Sequence, residues 1–208
     1  LRVDQGNIFT RRFFEILKEV TDATFFIPGV DRASVTSLWT PNTRFIEIVE
    51  DGFSGGNVVP ADFDASPDAL EQVRRNVEKS GKIGLLVSPD FRGALVMAQL
   101  QEVNPETGEQ LDYIRVAKRL EDIREQYEDA GKEIGLSIHI IGFAKIMGDI
   151  SDGARTVIVF FFVTIAISAL LIWIYTLSRR LTFLLIFNGI IGVIWQLGFL
   201  RAAGYGID

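Results

Sequence analysis

Residues 156–177 read TVIVFFFVTIAISALLIWIYTL, Ser178, Arg179 and Arg180 follow, and residues 181–200 read LTFLLIFNGIIGVIWQLGFL. Neither run contains a charged residue. At about 1.5 Å of rise per residue, each run is long enough to cross roughly 30 Å of hydrocarbon as a helix, and a single helix over both would be about twice too long. The expected structure is therefore a transmembrane hairpin with helices at 156–177 and 181–200. Arg179 and Arg180 set its topology, because paired arginines in a short connection favour the cytoplasmic side. That choice places residues 1–154 and everything after Leu200 on the outer side. Arg155 and Arg201 stand at the outer ends and oppose it weakly.

The two runs differ in chemistry. In the first the only polar groups within the apolar stretch are hydroxyls, and Trp173 and Tyr175 lie near the arginine end, at the depth where aromatic side chains collect in a bilayer. The second contains Asn188, Gly189, Gly192, Gln196 and Gly198, residue types that let helices approach closely and hydrogen-bond across an interface. It is expected to pack inside a larger bundle. Asn188 and Gln196 are eight residues apart and share roughly one face. They can serve either as a polar path for substrate or protons or as interhelical hydrogen-bonding groups. Neither titrates, and proton coupling needs an ionisable group that both runs lack.

The remainder of the chain is of another kind. Of the 27 acidic and 21 basic residues among 208, residues 1–154 hold 26 acids and 17 bases, a net charge of −9. An acidic outer part without a basic face argues against nucleic acid as a partner. The absence of cysteine removes disulfides and thiolate chemistry. His139 is the only histidine, so multi-histidine metal centres are excluded and a Ser/His/acid triad would have one possible base. It alternates with Ile138 and Ile140 in an expected strand. Asp62, Asp64 and Asp68 share a loop that lacks the glycine and distal glutamate of a calcium-binding loop, and read as solvated acids. Gly52, Gly55 and Gly56 are not followed by the Lys and Ser/Thr that complete a phosphate cradle. No constellation proposes a catalysed reaction, and no cofactor or metal is expected.

Within residues 1–142 an α+β domain is expected. Residues 1–4 read as a strand end, and Thr10 as the cap of a helix with Phe13, Phe14, Leu17, Val20 and Thr21 at helical spacing, stopped by Ile27, Pro28 and Gly29. Residues 34–40 and 44–50 read as extended segments around Pro41 and Asn42, and 51–65 as a long loop. Ser66 and Pro67 open a second helix with Leu70, Val73 and Val77 inside, ended by Gly81. A strand over 92–103, a turn over 104–108, a helix over 111–130 with Tyr113, Val116, Ala117, Leu120, Ile123 and Tyr127 inside, and a closing strand over 136–141 complete it. The Glu and Lys residues of 118–133 read as a solvated face. This order resembles a split βαβ, ferredoxin-like arrangement. An amphipathic connector helix over 143–155, with Phe143, Ile146, Met147 and Ile150 on one side, then leads into the membrane.

Ile140, Ile141, Gly142, Phe143 and Ala144 through Gly148, Asp149 and Ile150, then a span, Ser178, Arg179, Arg180, a second span and Gly204, Tyr205, Gly206, Ile207 and Asp208 form an order that resembles exporters of the resistance-nodulation-division (RND) superfamily, MMPL-like branch. Phe26, Ile27, Pro28, Gly29 and Val30, with Val35, Thr36, Ser37 and Leu38 and with Val49, Glu50, Asp51, Gly52 and Phe53, extend the likeness over the whole sequence. The resemblance implies a periplasmic porter domain between the first and second membrane helices, so that the two runs are helices two and three and residues 201–208 begin a periplasmic loop. It also implies a bacterial inner membrane, proton-driven export of hydrophobic or amphipathic compounds, and partners in the remaining helices, a second porter domain, membrane lipid, the exported hydrophobic small molecule or lipid and a further copy in a homo-oligomer. Proton-relay residues would lie in later helices. A sequence that opens at Leu1 and closes on Asp208 is then expected to be part of a longer chain. The alternative is a non-transporting lipid- or sterol-sensing or secretion-accessory protein of the same superfamily.

Overall fold

A computed structural model describes residues 1–50, 52–103 and 108–204. The described elements run β1 (Arg2–Val3), α1 (Arg11–Phe25), β2 (Val30–Thr36), β3 (Arg44–Val49), β4 (Gly52–Asn57), α2 (Pro67–Lys79), β5 (Met97–Leu100), α3 (Tyr113–Ala130), a 3-10 turn (Lys132–Ile134), β6 (Leu136–Ser137), α4 (Phe143–Thr176) and α5 (Arg179–Ala202). The chain divides into two compact units, Leu1–Asp149 and Ile150–Asp208. The first is a mixed α+β unit of helices and small antiparallel two-stranded sheets, and the second consists of the two long apolar helices.

The helices of the first unit start where their caps dictate. Thr10 accepts a hydrogen bond from Phe13 N–H, Ser66 from Ala69 N–H with Pro67 at the first helical position, and Asp112 from Arg115 N–H. Each satisfies a backbone donor that the helix itself leaves unpaired. The apolar stripe of α1 supplies the centre of the core: Phe13, Phe14, Ile16 and Leu17 are fully buried. Trp39, Phe63 and Phe9 close around Phe14, and Val73 and Val77 of α2 join the same cluster. Full burial of each such side chain is worth about 1.5–3 kcal/mol, which is what orders these short strands around the helices.

The strand pairs are β1 with β6, β2 with β5 and β3 with β4. On its other side β1 bridges to Gly93, through Val3 N–H to Arg92 O and Ala94 N–H to Leu1 O. Two expectations are revised. The segment at 44–50 forms β3 but does not pair with the strand before it; its partner is β4, formed by residues 52–57 inside the stretch read as loop. Four residues of that strand are glycine or serine, so nothing in their side chains announces a strand; register with β3 makes it. The first extended segment lies at Val30–Thr36, and its partner is β5. Strands expected over 92–103 and 136–141 are paired over shorter stretches. The expected turn at 104–108 falls largely outside the described residues, as do Asp51 and 205–208.

The loop before Gly93 is pinned to β1 by a carboxylate. Asp90 accepts from Ser88 Oγ at 2.6 Å, Arg92 N–H at 3.1 Å and the Arg2 guanidinium at 2.7 Å. The Ser88 hydroxyl, then the Arg92 amide and Arg2, hold the Asp90 carboxyl at about 2 against an ordinary 3.8. A depressed carboxyl contributes stability above its unfolded value and loses it as pH falls through the folded one. Asp90→Asn is therefore expected to lower the melting temperature at neutral pH, and the gap from the native chain to close between pH 3.8 and about 2. A gap independent of pH would remove this account.

In the second unit no described residue is buried. Both helices are long and apolar enough to cross a membrane. The connection between them is only Leu177 and Ser178, with Leu177 in the left-handed region at φ 51° and its N–H bonded to Trp173 O. Arg179 and Arg180 are thus in the first turn of α5. The expected connector and first span form one helix, α4.

Candidate functional site

The first unit contains an apolar cleft of about 600 Å³, a size suited to a small molecule or to part of a larger one. Its walls come from several elements of the unit: Val20 and Thr24 of α1, Val30 of β2, Leu95 and Leu100 around β5, Leu120 and Ile123 of α3, and Ile138, Ile140 and Ile141 after β6. These positions converge for a simple reason. The inward stripes of α1 and α3 and the inward faces of the strands meet there, and no large side chain fills the space between them. Thr24 adds no free polarity, since its hydroxyl donates to Val20 O at 2.8 Å. At one end the rings of Tyr113 and Phe143 meet edge to face, 5.0 Å apart.

Charged residues stand at the cleft's margin. Arg124 donates to Glu121 Oε1 through Nε at 2.9 Å and to Glu128 Oε2 through Nη1 at 2.7 Å. The other oxygen of Glu128 accepts from Ile138 N–H at 2.6 Å, which ties α3 to the segment after β6. Lys145, in the first turn of α4, lies 3.5 Å from Glu121 Oε2 and 2.9 Å from Asp149 Oδ1. The guanidinium of Arg124, opposing burial, holds the Glu121 carboxyl below the usual carboxylate range. Asp149 first, and Glu121 after it, raise Lys145. Glu121 and Lys145 therefore both remain charged at neutral pH. The expectation of a solvated face over 118–133 holds for much of α3 but not here: Glu121, Arg124 and Glu128 are only 27–33 % exposed. Their spacing of three and four is also that of solvated helix pairs, so no local signal separates them from the exposed charges.

His139 is exposed and stands on the rim of this cleft. Asp62, Asp64 and Asp68 line a separate shallow depression with Glu71 and Arg75. There Asp64 accepts from Ser66 N–H at 2.9 Å, and the Ser66 hydroxyl first, with that N–H after it, holds its carboxyl low. Gly52, Gly55 and Gly56 are in β4. Among the described residues there is no group of three or more acids or histidines arranged to hold a metal. Asn188 and Gln196 are exposed on α5, and among the described residues neither makes a hydrogen bond, so both amides are available to other helices. Arg179 and Arg180 are exposed at its N-terminal end. The cleft offers apolar surface with the Glu121–Arg124–Glu128 and Lys145 charges at its margin, an arrangement suited to binding an apolar or amphipathic group.

Comparison finds no match. No protein-family model, curated protein or solved structure is similar enough to this chain to assign it. The functional reading therefore stands on the residues themselves.

Proposed function

We propose that this chain is the first porter domain and the second and third membrane helices of a proton-driven exporter of the RND superfamily, MMPL-like branch. It works in a bacterial inner membrane with residues 1–154 in the periplasm, and it exports hydrophobic or amphipathic compounds. The observation that carries the reading is that the wall of the apolar cleft, through Ile140, Ile141, Phe143 and Ala144, runs directly into the helix long enough to span the bilayer. A substrate site and a membrane element share one continuous piece of backbone, which a transporter needs if protonation elsewhere is to alter the site.

The strand pairings support the ferredoxin-like part of the reading. If residues 92–100 are taken as one interrupted strand, the bridges give the order β6, β1, 92–100, β2, with every neighbour antiparallel. Helices α1 and α3 are then the two crossovers, and they pack on one another, with Arg12 Nη2 donating to Ala130 O at 2.8 Å. Helix α2 and the β3–β4 hairpin are an insertion in the chain between β2 and residues 92–100. The remaining helices, a second porter domain and membrane lipid complete the assembly.

The test is uptake of an amphipathic dye into inverted membrane vesicles carrying the full-length protein. Imposing a proton gradient should start transport and collapsing it should stop it, while Leu120→Arg, which puts a charge in the cleft, should abolish transport at unchanged protein level. Transport indifferent to the gradient overturns the reading, and dye binding without transport would assign the chain to the lipid-sensing alternative.

A further inference from the structure

The first two turns of α4 lie along α3 and close the cleft, but they are held there by little. Among residues of α4 only Ala144 is buried. The other contacts are the Tyr113–Phe143 ring pair, the Glu121–Lys145 ion pair and a close approach at Gly148, where an added Cβ would meet Ala117 Cβ at 2.7 Å. Immediately before the helix, Gly142 has φ +124° with open space around it, a backbone state that side chains with a Cβ rarely adopt. An element with small buried apolar area on a glycine joint belongs to the low-stability end of a fold.

The ion pair is built to release. Arg124 already satisfies Glu121 Oε1, leaving Oε2 buried, without a hydrogen bond, and facing only Lys145 at 3.5 Å. Lys145 has a closer acceptor on its own helix, Asp149 at 2.9 Å. If the seam parts, Lys145 keeps Asp149 and the Glu121 oxygen gains water, so neither charge is stranded in an apolar site.

We propose that the start of α4 is a lid over the apolar cleft, latched by Glu121 and Lys145 and hinged at Gly142, so that movement of this helix controls access to the cleft. The inference rests on the reading of that cleft as a substrate site and adds its regulation. Because α4 continues to Thr176, the lid and the membrane helix are one element.

The chain has no cysteine, so one introduced thiol reports one place. Ile123→Cys puts it on the buried wall of the cleft, and Val73→Cys puts it in the core on α2, away from the cleft. In nanodiscs, the rate at which a soluble maleimide modifies Ile123→Cys should rise about fivefold when Lys145→Met or Glu121→Gln is added, an ion pair's worth of opening. Gly148→Val, which wedges the seam without changing charge, should raise it as well, and Lys145→Arg should leave it at the native rate. Unchanged labelling in the three disrupting variants overturns the latch. So does an equal rise at Val73→Cys, which would mean that the whole unit loosens. The measurement uses no substrate and no gradient, so a failure here leaves the exporter reading to its own test, and a failure of transport leaves the lid standing.

Discussion

Replacing Phe14 with alanine is expected to destabilise the first unit by about 3–5 kcal/mol, the cost of removing a large aromatic from a closed core. Phe14 is fully buried on the inner face of α1. Its ring lies 5.5 Å from that of Phe63, 6.1 Å from Phe9 and 6.3 Å from Phe13 and Trp39. Its carbonyl also accepts from Trp39 Nε1 at 3.1 Å, so the residue fixes the indole from two directions. Four rings around one vacancy cannot all move inward, because each is itself held by other contacts, and the cavity therefore persists. Against a total stability of about 5–15 kcal/mol for a domain, the loss is a large fraction. The comparison is Phe53→Ala on β4: that ring is 82 % exposed, and its removal should change stability by no more than about 0.5 kcal/mol. Urea unfolding of the two variants, followed by hydrogen exchange in α1, separates the cases. A Phe14→Ala loss under about 1 kcal/mol would mean that the aromatic cluster does not hold this core.

That cluster shows what a sequence can and cannot disclose. The positions of Phe13, Phe14, Leu17 and Val20 follow from helical periodicity and a threonine cap, both local properties, and α1 forms where they place it. The same is true of α2 and α3, whose caps Ser66 and Asp112 precede apolar stripes. The β3–β4 hairpin was half visible. Arg44–Val49 alternates and is rich in β-formers, but its partner Gly52–Asn57 owes its conformation to cross-strand hydrogen bonds that no local composition encodes. Ile46, Ile48 and Phe53 fall on one face of this hairpin and are largely exposed, the reverse of what their hydrophobicity suggests.

The cleft was hidden for a related reason. Its lining residues look like ordinary core in sequence, since a wall and an interior are both apolar, and only the packing of α1, α3 and the segment after β6 leaves space between them. The charged margin was hidden too. Glu121, Arg124 and Glu128 obey the spacing of exposed helix pairs, and it is the approach of Ile138 and Lys145, 10 and 24 residues further along than Glu128 and Glu121, that half-buries them. Long-range contacts set these features, while the apolar runs at 156–177 and 181–200 are legible because lipid demands length and composition of each helix separately.

Cysteines introduced at Ser178 and at Lys118 should therefore react with an impermeant maleimide from opposite sides of the membrane, an all-or-none difference in intact cells. Ser178 belongs to the two-residue connection between α4 and α5, and Lys118 to the exposed side of α3 in the first unit. At about 1.5 Å per residue α4 is roughly 50 Å long and α5 roughly 36 Å, so each is long enough to cross the hydrocarbon with residues to spare. The arginines strengthen the expectation. Arg179 and Arg180 occupy the first turn of α5, where the helix dipole disfavours positive charge. Helix electrostatics alone would not put them there, whereas the positive-inside rule would, if this end faces the cytoplasm. Arg179→Gln combined with Arg180→Gln should consequently let a measurable fraction of chains insert with Ser178→Cys outside, Arg155 and Arg201 then being the positive ends. If Ser178→Cys and Lys118→Cys in the otherwise native protein label from the same side, the hairpin does not span the bilayer, and the exporter reading falls with it.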